Sequence, residues 1–236
     1  MTPLEIIAQV QSEGRDAVPE NMGKVILASY GVATPNSMVV HDAAEADQAW
    51  TELKPPLVAK ILSADIIHKS DIGGVRINLS SLDELTEAIV EIGDAVTKAG
   101  GAIDGYLVEE MAPAGQEVVI GGTINPNFGP VLMVGLGGVF VETLADVSFR
   151  VCPISTIDAV EMLGELKAAP LLAGARGTEA VSQSAIVEAM EAIGGEDGLL
   201  MELSSVVSEL DINPLIVSPV GAVAADARFI LPGKEA

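Results

Sequence analysis

Aromatic side chains are scarce in this sequence, at 3% of 236 residues, and cations are scarcer than acids, with 12 Lys and Arg against 34 Asp and Glu. There is one cysteine, Cys152, and there are two histidines, His41 and His68. Each shortage narrows the field. A net charge of −22 argues against nucleic acid or an anionic membrane surface as a partner. A single cysteine excludes an intrachain disulfide and fits a reducing compartment. Cys152 lies in an apolar run and reads as a packed residue rather than a nucleophile. The longest apolar run, residues 130–141, is interrupted by glycines and too short to span a bilayer. The N-terminus has neither the basic start nor the apolar core of a signal peptide, so a cytoplasmic location is expected. What is abundant is Ala, Val, Ile and Leu, within a hydrophobic content of 49% that fits one large or two modest globular α/β domains. On so acidic a surface, a site for phosphates must gather its few cations locally or recruit a metal ion.

One stretch does concentrate them. Leu57 to Leu79, LVAKILSADIIHKSDIGGVRINL, holds His68 and three cations, Lys60, Lys69 and Arg76. An apolar strand-like run ends on Lys60, a turn carries His68-Lys69-Ser70-Asp71, and Gly73-Gly74 leads into a second strand. Glycines beside a lysine let backbone N–H groups and a positive charge approach phosphate oxygens. A histidine there is a candidate phosphoryl carrier, because imidazole is a nucleophile still partly neutral near pH 7. Taken alone, the stretch also fits an ordinary hairpin with a surface histidine.

Around it the chain alternates short elements. Thr2-Pro3 starts a helix that Gly14 stops, and Pro19 opens another that reaches Tyr30, on which Lys24 is expected to point away from the core. A strand over Ser37–Val40 and a helix from Asp42 to Leu53 follow. Ser81 and Glu84 form a capping-box pattern before an apolar stripe of Leu85, Ile89, Ile92 and Val96. Residues 21–104 therefore read as a small α+β unit. Residues 105–236 read as a larger one, entered by a strand over Tyr106–Met111, and residues 1–20 as a helical segment packed on it. Gly135-Leu136-Gly137-Gly138 is not a dinucleotide fingerprint, since Phe140 occupies the third glycine position. It is expected to be a glycine-rich loop beside a ligand or a tight turn.

Near the end, Glu209, Asp211 and Asn213 alternate with apolar residues, so a strand would put them on one face. Asn213-Pro214 is expected to break that strand, and a hairpin would bring Asp226 alongside. Hard oxygen donors that leave room for water and phosphate suit Mg2+. A polar row is also what a solvated sheet face looks like.

LVAKILSADIIHKSDIGGVRINL, NFGPVLMVGLGGVFVE, LLAGARG and ELDINPL with AVAADAR together resemble the ATP-grasp subunits of ADP-forming acyl-CoA synthetases, relatives of the succinyl-CoA synthetase β subunit, and most of all the acetate–CoA ligase branch. The resemblance covers nearly the whole chain. It implies an α+β ATP-grasp fold, with two α+β subdomains and a nucleotide cleft between them, and acid–thiol ligase activity. Carried over by position, Lys24 and Lys60 would hold the phosphates of ATP or ADP, with Gly73 and Gly74 over them. Glu109, Glu110 and Met111 would lie beside adenine, and Glu117 near the ribose. Asn213 and Asp226 would bind Mg2+, with Asp211 and Glu209 behind them. His68 occupies the place of a transient phosphohistidine, with Asp71 placed to orient its ring. Asn125 stands where the family has aspartate, and Ala175 where a bulky residue precedes Arg176.

The resemblance also implies a relay. A partner α subunit would bind CoA, handle the carboxylate and acyl-CoA, and pass the phosphoryl group from its own histidine to His68, in an α2β2 assembly. Two other readings stay open: a stand-alone ATP-grasp carboxylate–amine ligase, and a nucleotide-binding regulatory subunit without turnover. Phosphorylation of His68 separates the relay from both.

Overall fold

In the computed structural model the chain divides into two units, one made of Met1–Thr34 with Pro113–Ala236 and the other of Pro35–Ala112. The structure describes residues 1–66, 69–138, 145–174 and 179–233. The larger unit begins with α1 (Pro3–Ser12), β1 (Ala17–Val18) and α2 (Glu20–Ser29). A full capping box starts α1: Thr2 accepts from the Glu5 N–H, and the Glu5 carboxylate accepts from the Thr2 N–H. Its Ile6, Ile7 and Val10 enter the core of the larger unit, as expected of the N-terminal segment.

The smaller unit runs β2 (Ser37–Val40), α3 (Ala46–Glu52), β3 (Leu57–Leu62), β4 (Val75–Leu79), α4 (Leu82–Lys98) and β5 (Gly105–Glu110). Asp42 caps the turn before α3 through the Ala44 and Glu45 N–H groups. Its antiparallel sheet has the order β2-β5-β3-β4. Every residue of β3 is buried, so the strand carries no alternation to read. The apolar stripe of α4, Leu85, Ala88, Ile89, Ile92 and Val96, covers this sheet. Ser81 caps α4 as expected, but the Glu84 carboxylate takes the N–H of Ser80 rather than that of Ser81.

The boundary differs from the expected one. Residues 21–34 belong to the larger unit, and the strand over Tyr106–Met111 belongs to the smaller one. The reason is strand pairing: β5 sits between β2 and β3, and it pairs residue for residue with both.

The larger unit continues with β6 (Gln116–Asn125), β7 (Gly129–Leu136), β8 (Val147–Val151), α5 (Thr156–Glu165), α6 (Gln183–Gly194), α7 (Leu199–Glu202), β9 (Glu209–Ser218), β10 (Gly221–Ala224) and β11 (Arg228–Ile230). Its sheet has the order β1-β11-β9-β6-β7-β8, with β10 pairing β9. Met162 and Leu163 of α5, Met190 and Ile193 of α6, and Leu200 of α7 pack in one core with α1 and α2. A Cβ on Gly122 would lie 2.6 Å from Leu200, so α7 rests directly on β6 there. Cys152 is buried in this core, which pushes its thiol up to about 11 and bears out its reading as a packed residue.

Gly135 lies within β7, and Gly137 donates to the Glu117 carbonyl at 2.8 Å. A Cβ on Gly137 would stand 2.8 Å from that of Glu117, so the glycine is needed for close approach of two strands. Phe140, Ala175 and Arg176, which the sequence singled out, lie outside the described residues. Among the described residues no helix is long and apolar enough to cross a membrane.

The core assignment of α4 is open to test. Ile89 is 1% exposed and its neighbour Val90 is 51% exposed. Ile89→Ala is expected to cost about 2–5 kcal/mol in urea unfolding, whereas Val90→Ala should stay within about 0.5 kcal/mol of wild type.

Candidate active site

The acidic row sits on β9. Glu209, Asp211 and Asn213 are more exposed than Leu210 and Ile212 between them, which are buried. The expected break at Asn213-Pro214 is not there, because β9 runs on to Ser218. Instead the ladder to β6 slips: Leu215 pairs Val118 and Ile212 pairs Ile120. Three steps on β9 therefore match two on β6, which is a bulge of one residue. Proline has no ladder N–H to lose at such a place. The extra residue reverses the phase, so that Leu215 and Val217, odd-numbered like Asp211, are buried.

The same strand changes its outer neighbour at this point. Leu215 to Ser218 pair with β10, and Glu209 to Asp211 pair with β11. β10 accordingly stops at Ala224, two residues short of Asp226. Residues 225–227 cross beside the bulge, and the Ala225 N–H donates to the Pro214 carbonyl at 2.9 Å. Asp226 is thus delivered to the metal-candidate row by the hairpin, as expected.

A cavity of about 420 Å3 opens on this face. Gly121, Met133 and Phe149 line its apolar side, and Asp211, Asn213 and Arg228 its polar side. Arg228 stands opposite Asp211 in the β9–β11 register, and it is the one cation lining the cavity among the described residues. The sequence reading passed over it. Its signal was there, two positions after Asp226. Burial raises the Asp211 pKa above its ordinary 3.8; Arg228 opposes that rise, and the Asp226 and Glu209 charges add to it. Among the described residues no three His, Cys, Asp or Glu side chains gather closely enough to hold a metal by themselves. The oxygens present fit a hard ion that keeps waters and takes phosphate oxygens to complete its shell, which is how Mg2+ is bound.

The two candidate phosphate lysines are buried. Lys24 does not point away from the core: it is 3% exposed, pairs with Glu20 at 2.8 Å, and donates to the Ala225 carbonyl at 2.7 Å. Lys60 of β3 is 7% exposed and pairs with Glu109 of β5 at 2.8 Å. Glu109 stands opposite Val58, two residues along β3 from Lys60 and on the same face, which places the two side chains as diagonal neighbours. The Glu110 carboxylate accepts from the Asn36 side chain and the Lys54 N–H, while the Met111 N–H donates to the Pro56 carbonyl. Glu117 is exposed on β6.

Gly73 and Gly74 close a loop. Their N–H groups donate to the Ser70 and Lys69 carbonyls at 3.1 and 2.7 Å, so they are already used locally. Gly73 has φ +74°, and a Cβ on Gly74 would meet the Lys69 carbonyl oxygen at 2.9 Å. Arg76 ties the loop end down, donating to the Gly73 and Val75 carbonyls and to Glu91. At the other end the Asp65 carboxylate accepts from the Ala102 N–H at 2.9 Å. Asp71 is exposed on this loop, and His68 lies outside the described residues.

The crowding of Asp211 gives a pH signature. Its folded-state pKa is raised, so between 3.8 and that raised value the folded chain holds a proton that the unfolded chain has lost. Stability is therefore lost as pH rises through this window. Asp211→Asn should melt higher than wild type at neutral pH without nucleotide or metal, and the gain should vanish as the pH is lowered through the window. Equal melting temperatures at neutral pH would remove the crowding.

Residues 9–231 match the family described as ATP-grasp domain. The chain is 43% identical to the β subunit of ADP-forming acetate–CoA ligase I from Pyrococcus furiosus, over 96% of this chain and 97% of that one. Its structure matches the dinucleotide forming acetyl-coenzyme A synthetase 1 of Ca. Korarchaeum cryptofilum in complex with coenzyme A and Ca-AMPCP. The TM-score is 0.92, at 41% identity over 97% of this chain and 99% of that one. The same enzyme with coenzyme A and Mg-AMPPCP, its phosphohistidine segment pointing towards the nucleotide binding site, matches with a TM-score of 0.83. That match is at 38% identity over 98% of this chain and all of that one. A capped, antiparallel α+β chain with its oxygen donors beside a strand bulge thus belongs to the ATP-grasp family, in the branch of the β subunits of ADP-forming acetate–CoA ligases.

Proposed function

We propose that this chain is the nucleotide-binding subunit of an ADP-forming acyl-CoA synthetase, with acetyl as the acyl group. The observation that carries the reading is the polar side of the cavity beside β9, where Asp211, Asn213 and Arg228 meet near Asp226. Asn213 and Asp226, with Asp211 behind them, would hold Mg2+, which when bound offsets the charge of the nucleotide phosphates. Arg228 binds phosphate oxygens, for which a planar guanidinium offers paired N–H donors. Lys60 adds an ammonium whose direction is fixed by Glu109. The end of β5 at Glu110–Met111 serves the adenine, and Glu117 serves the ribose.

His68 carries the phosphoryl group between the nucleotide and a CoA-binding α subunit. One imidazole nitrogen attacks the γ-phosphorus of ATP, the bond to the β–γ bridging oxygen breaks, and ADP leaves with the electron pair. In the other direction the phosphoryl group returns to ADP. The partner binds CoA and the carboxylate, in an α2β2 assembly. Asp71 is the loop acid available to accept the other ring N–H.

Incubation of the full chain with labelled ATP and Mg2+ should leave an acid-labile, base-stable phosphate. His68→Asn should abolish it. His41→Asn should not, because His41 is exposed and its Nδ1 lies 3.2 Å from Glu45 on its own turn. Label persisting in the His68 variant would end the relay and favour direct chemistry on the nucleotide. In the same preparations, ADP with Mg2+ at 100 times Kd should stabilise wild type by about 2.7 kcal/mol. Arg228→Met and Lys60→Ala should each lose most of that gain.

A further inference from the structure

We infer that Lys24 is a positioning residue for Asp226 and not a ligand of nucleotide phosphates; this rests on the metal site proposed above. Its ammonium makes two short contacts inside the larger unit. The Lys24 Nζ lies 2.8 Å from Glu20 one turn earlier on α2, and 2.7 Å from the carbonyl of Ala225, which is 201 residues away. Lys24 and Glu20 are 3% and 5% exposed, and the Lys24 ammonium already serves a carboxylate and a backbone carbonyl.

What the ammonium grips is the peptide unit that leads into Asp226. The Ala225 carbonyl and the Asp226 N–H belong to one plane. On its other side Ala225 donates its own N–H to the Pro214 carbonyl, at the β9 bulge. Ala225 is therefore held from α2 and from β9 at once, and the residue after it is aimed by both. The helix approaches closely because of Gly23, where a Cβ would lie 3.1 Å from the Phe229 ring and 3.5 Å from the Ala227 carbonyl oxygen. Two successive residues of α2 thus clasp the short crossing between β10 and β11. A buried ion pair is a weak source of stability compared with apolar groups of the same size, so a geometric role is the better account of this one.

The test measures ADP binding by calorimetry on the full chain, with and without Mg2+. The double variant Glu20→Gln with Lys24→Met removes both charges of this pair together. It is expected to need about tenfold more Mg2+ for the same enhancement of ADP binding, as loss of an outer support of a metal site does. Its metal-free ADP affinity should equal that of wild type. Glu20→Gln alone keeps the ammonium on the Ala225 carbonyl and should retain most of the Mg2+ response. A tenfold fall in metal-free ADP affinity would make Lys24 a direct phosphate ligand and overturn the inference. An unchanged Mg2+ requirement in the double variant would overturn it too.

If the double variant does not fold, Gly23→Ala keeps every charge and presses α2 away from Phe229. It should raise the Mg2+ requirement in the same sense, and failure to do so refutes the clasp. Asp226→Asn, run in parallel, separates the two levels. If it leaves the Mg2+ requirement unchanged, the metal site itself is misplaced. If it raises that requirement while the Lys24 and Gly23 variants do not, only the present inference falls.

Discussion

The candidate site depends on one unpaired step in a sheet. β9 must bury Leu210 and Ile212 on the face covered by helices and turn Glu209, Asp211 and Asn213 the other way. It must also bury Leu215 and Val217, which the same alternation would have exposed. A strand with strict period two cannot do both, since side chains at i and i+2 share a face. The bulge at Asn213-Pro214 resolves the conflict by adding a residue and reversing the phase. It also marks where β11 gives way to β10 as the outer neighbour, leaving the gap that residues 225–227 cross. Carboxylates from two chain segments are thereby brought beside Asn213, and burial, opposed by Arg228 and helped by the Asp226 and Glu209 charges, raises the Asp211 pKa. A cation at the site proposed for Mg2+ would offset part of that rise.

Local chemistry in the chain foretold most elements, because their signals are local. Thr2 with Glu5, Ser81 before α4, and Asp42 before α3 are caps that any reader of the sequence can find, and each forms. The acidic row was visible for the same reason: two-residue alternation needs no partner to be seen. What stayed hidden was non-local. Whether β5 opens a new unit or completes an old one depends on its pairing with β2 and β3, and nothing in Gly105–Glu110 says which strands it will join. Lys24 looked like a surface lysine because the carbonyl it meets lies at the far end of the sequence. The bulge was mistaken for a strand break because proline signals both, and only the ladder on β6 tells them apart.

The glycine pair shows how a motif can be right in place and different in mechanism. Gly73 and Gly74 were expected to turn backbone N–H groups towards phosphate. In the structure those groups return to the Ser70 and Lys69 carbonyls, and the missing Cβ of Gly74 makes room for the Lys69 carbonyl and for Ile61. The pair is what lets the chain re-enter the sheet at β4 directly after a tight loop. Arg76 is fastened to Glu91 in the middle of α4, and Asp65 to the Ala102 N–H just beyond that helix. β3 beneath the loop is buried throughout.

A protein with 34 acids and 12 cations cannot rely on a diffuse positive field to draw in a nucleotide. It must spend specific cations at specific points, and the structure shows where several of them go. Lys24 and Lys60 are each withdrawn from solvent and matched with a glutamate, Glu20 and Glu109. Arg76 and Arg150 fasten neighbouring elements, the latter by pairing with Glu165 and holding its carboxyl down at about 2. Arg228 differs from these four in facing the cavity beside β9, exposed, across from an acid that burial has made reluctant to ionise. In the proposed site a phosphate with its metal would meet a guanidinium on one side and oxygen donors on the other. Anion and cation entering together would each relieve the charge that opposes the other, and the surface as a whole could stay acidic.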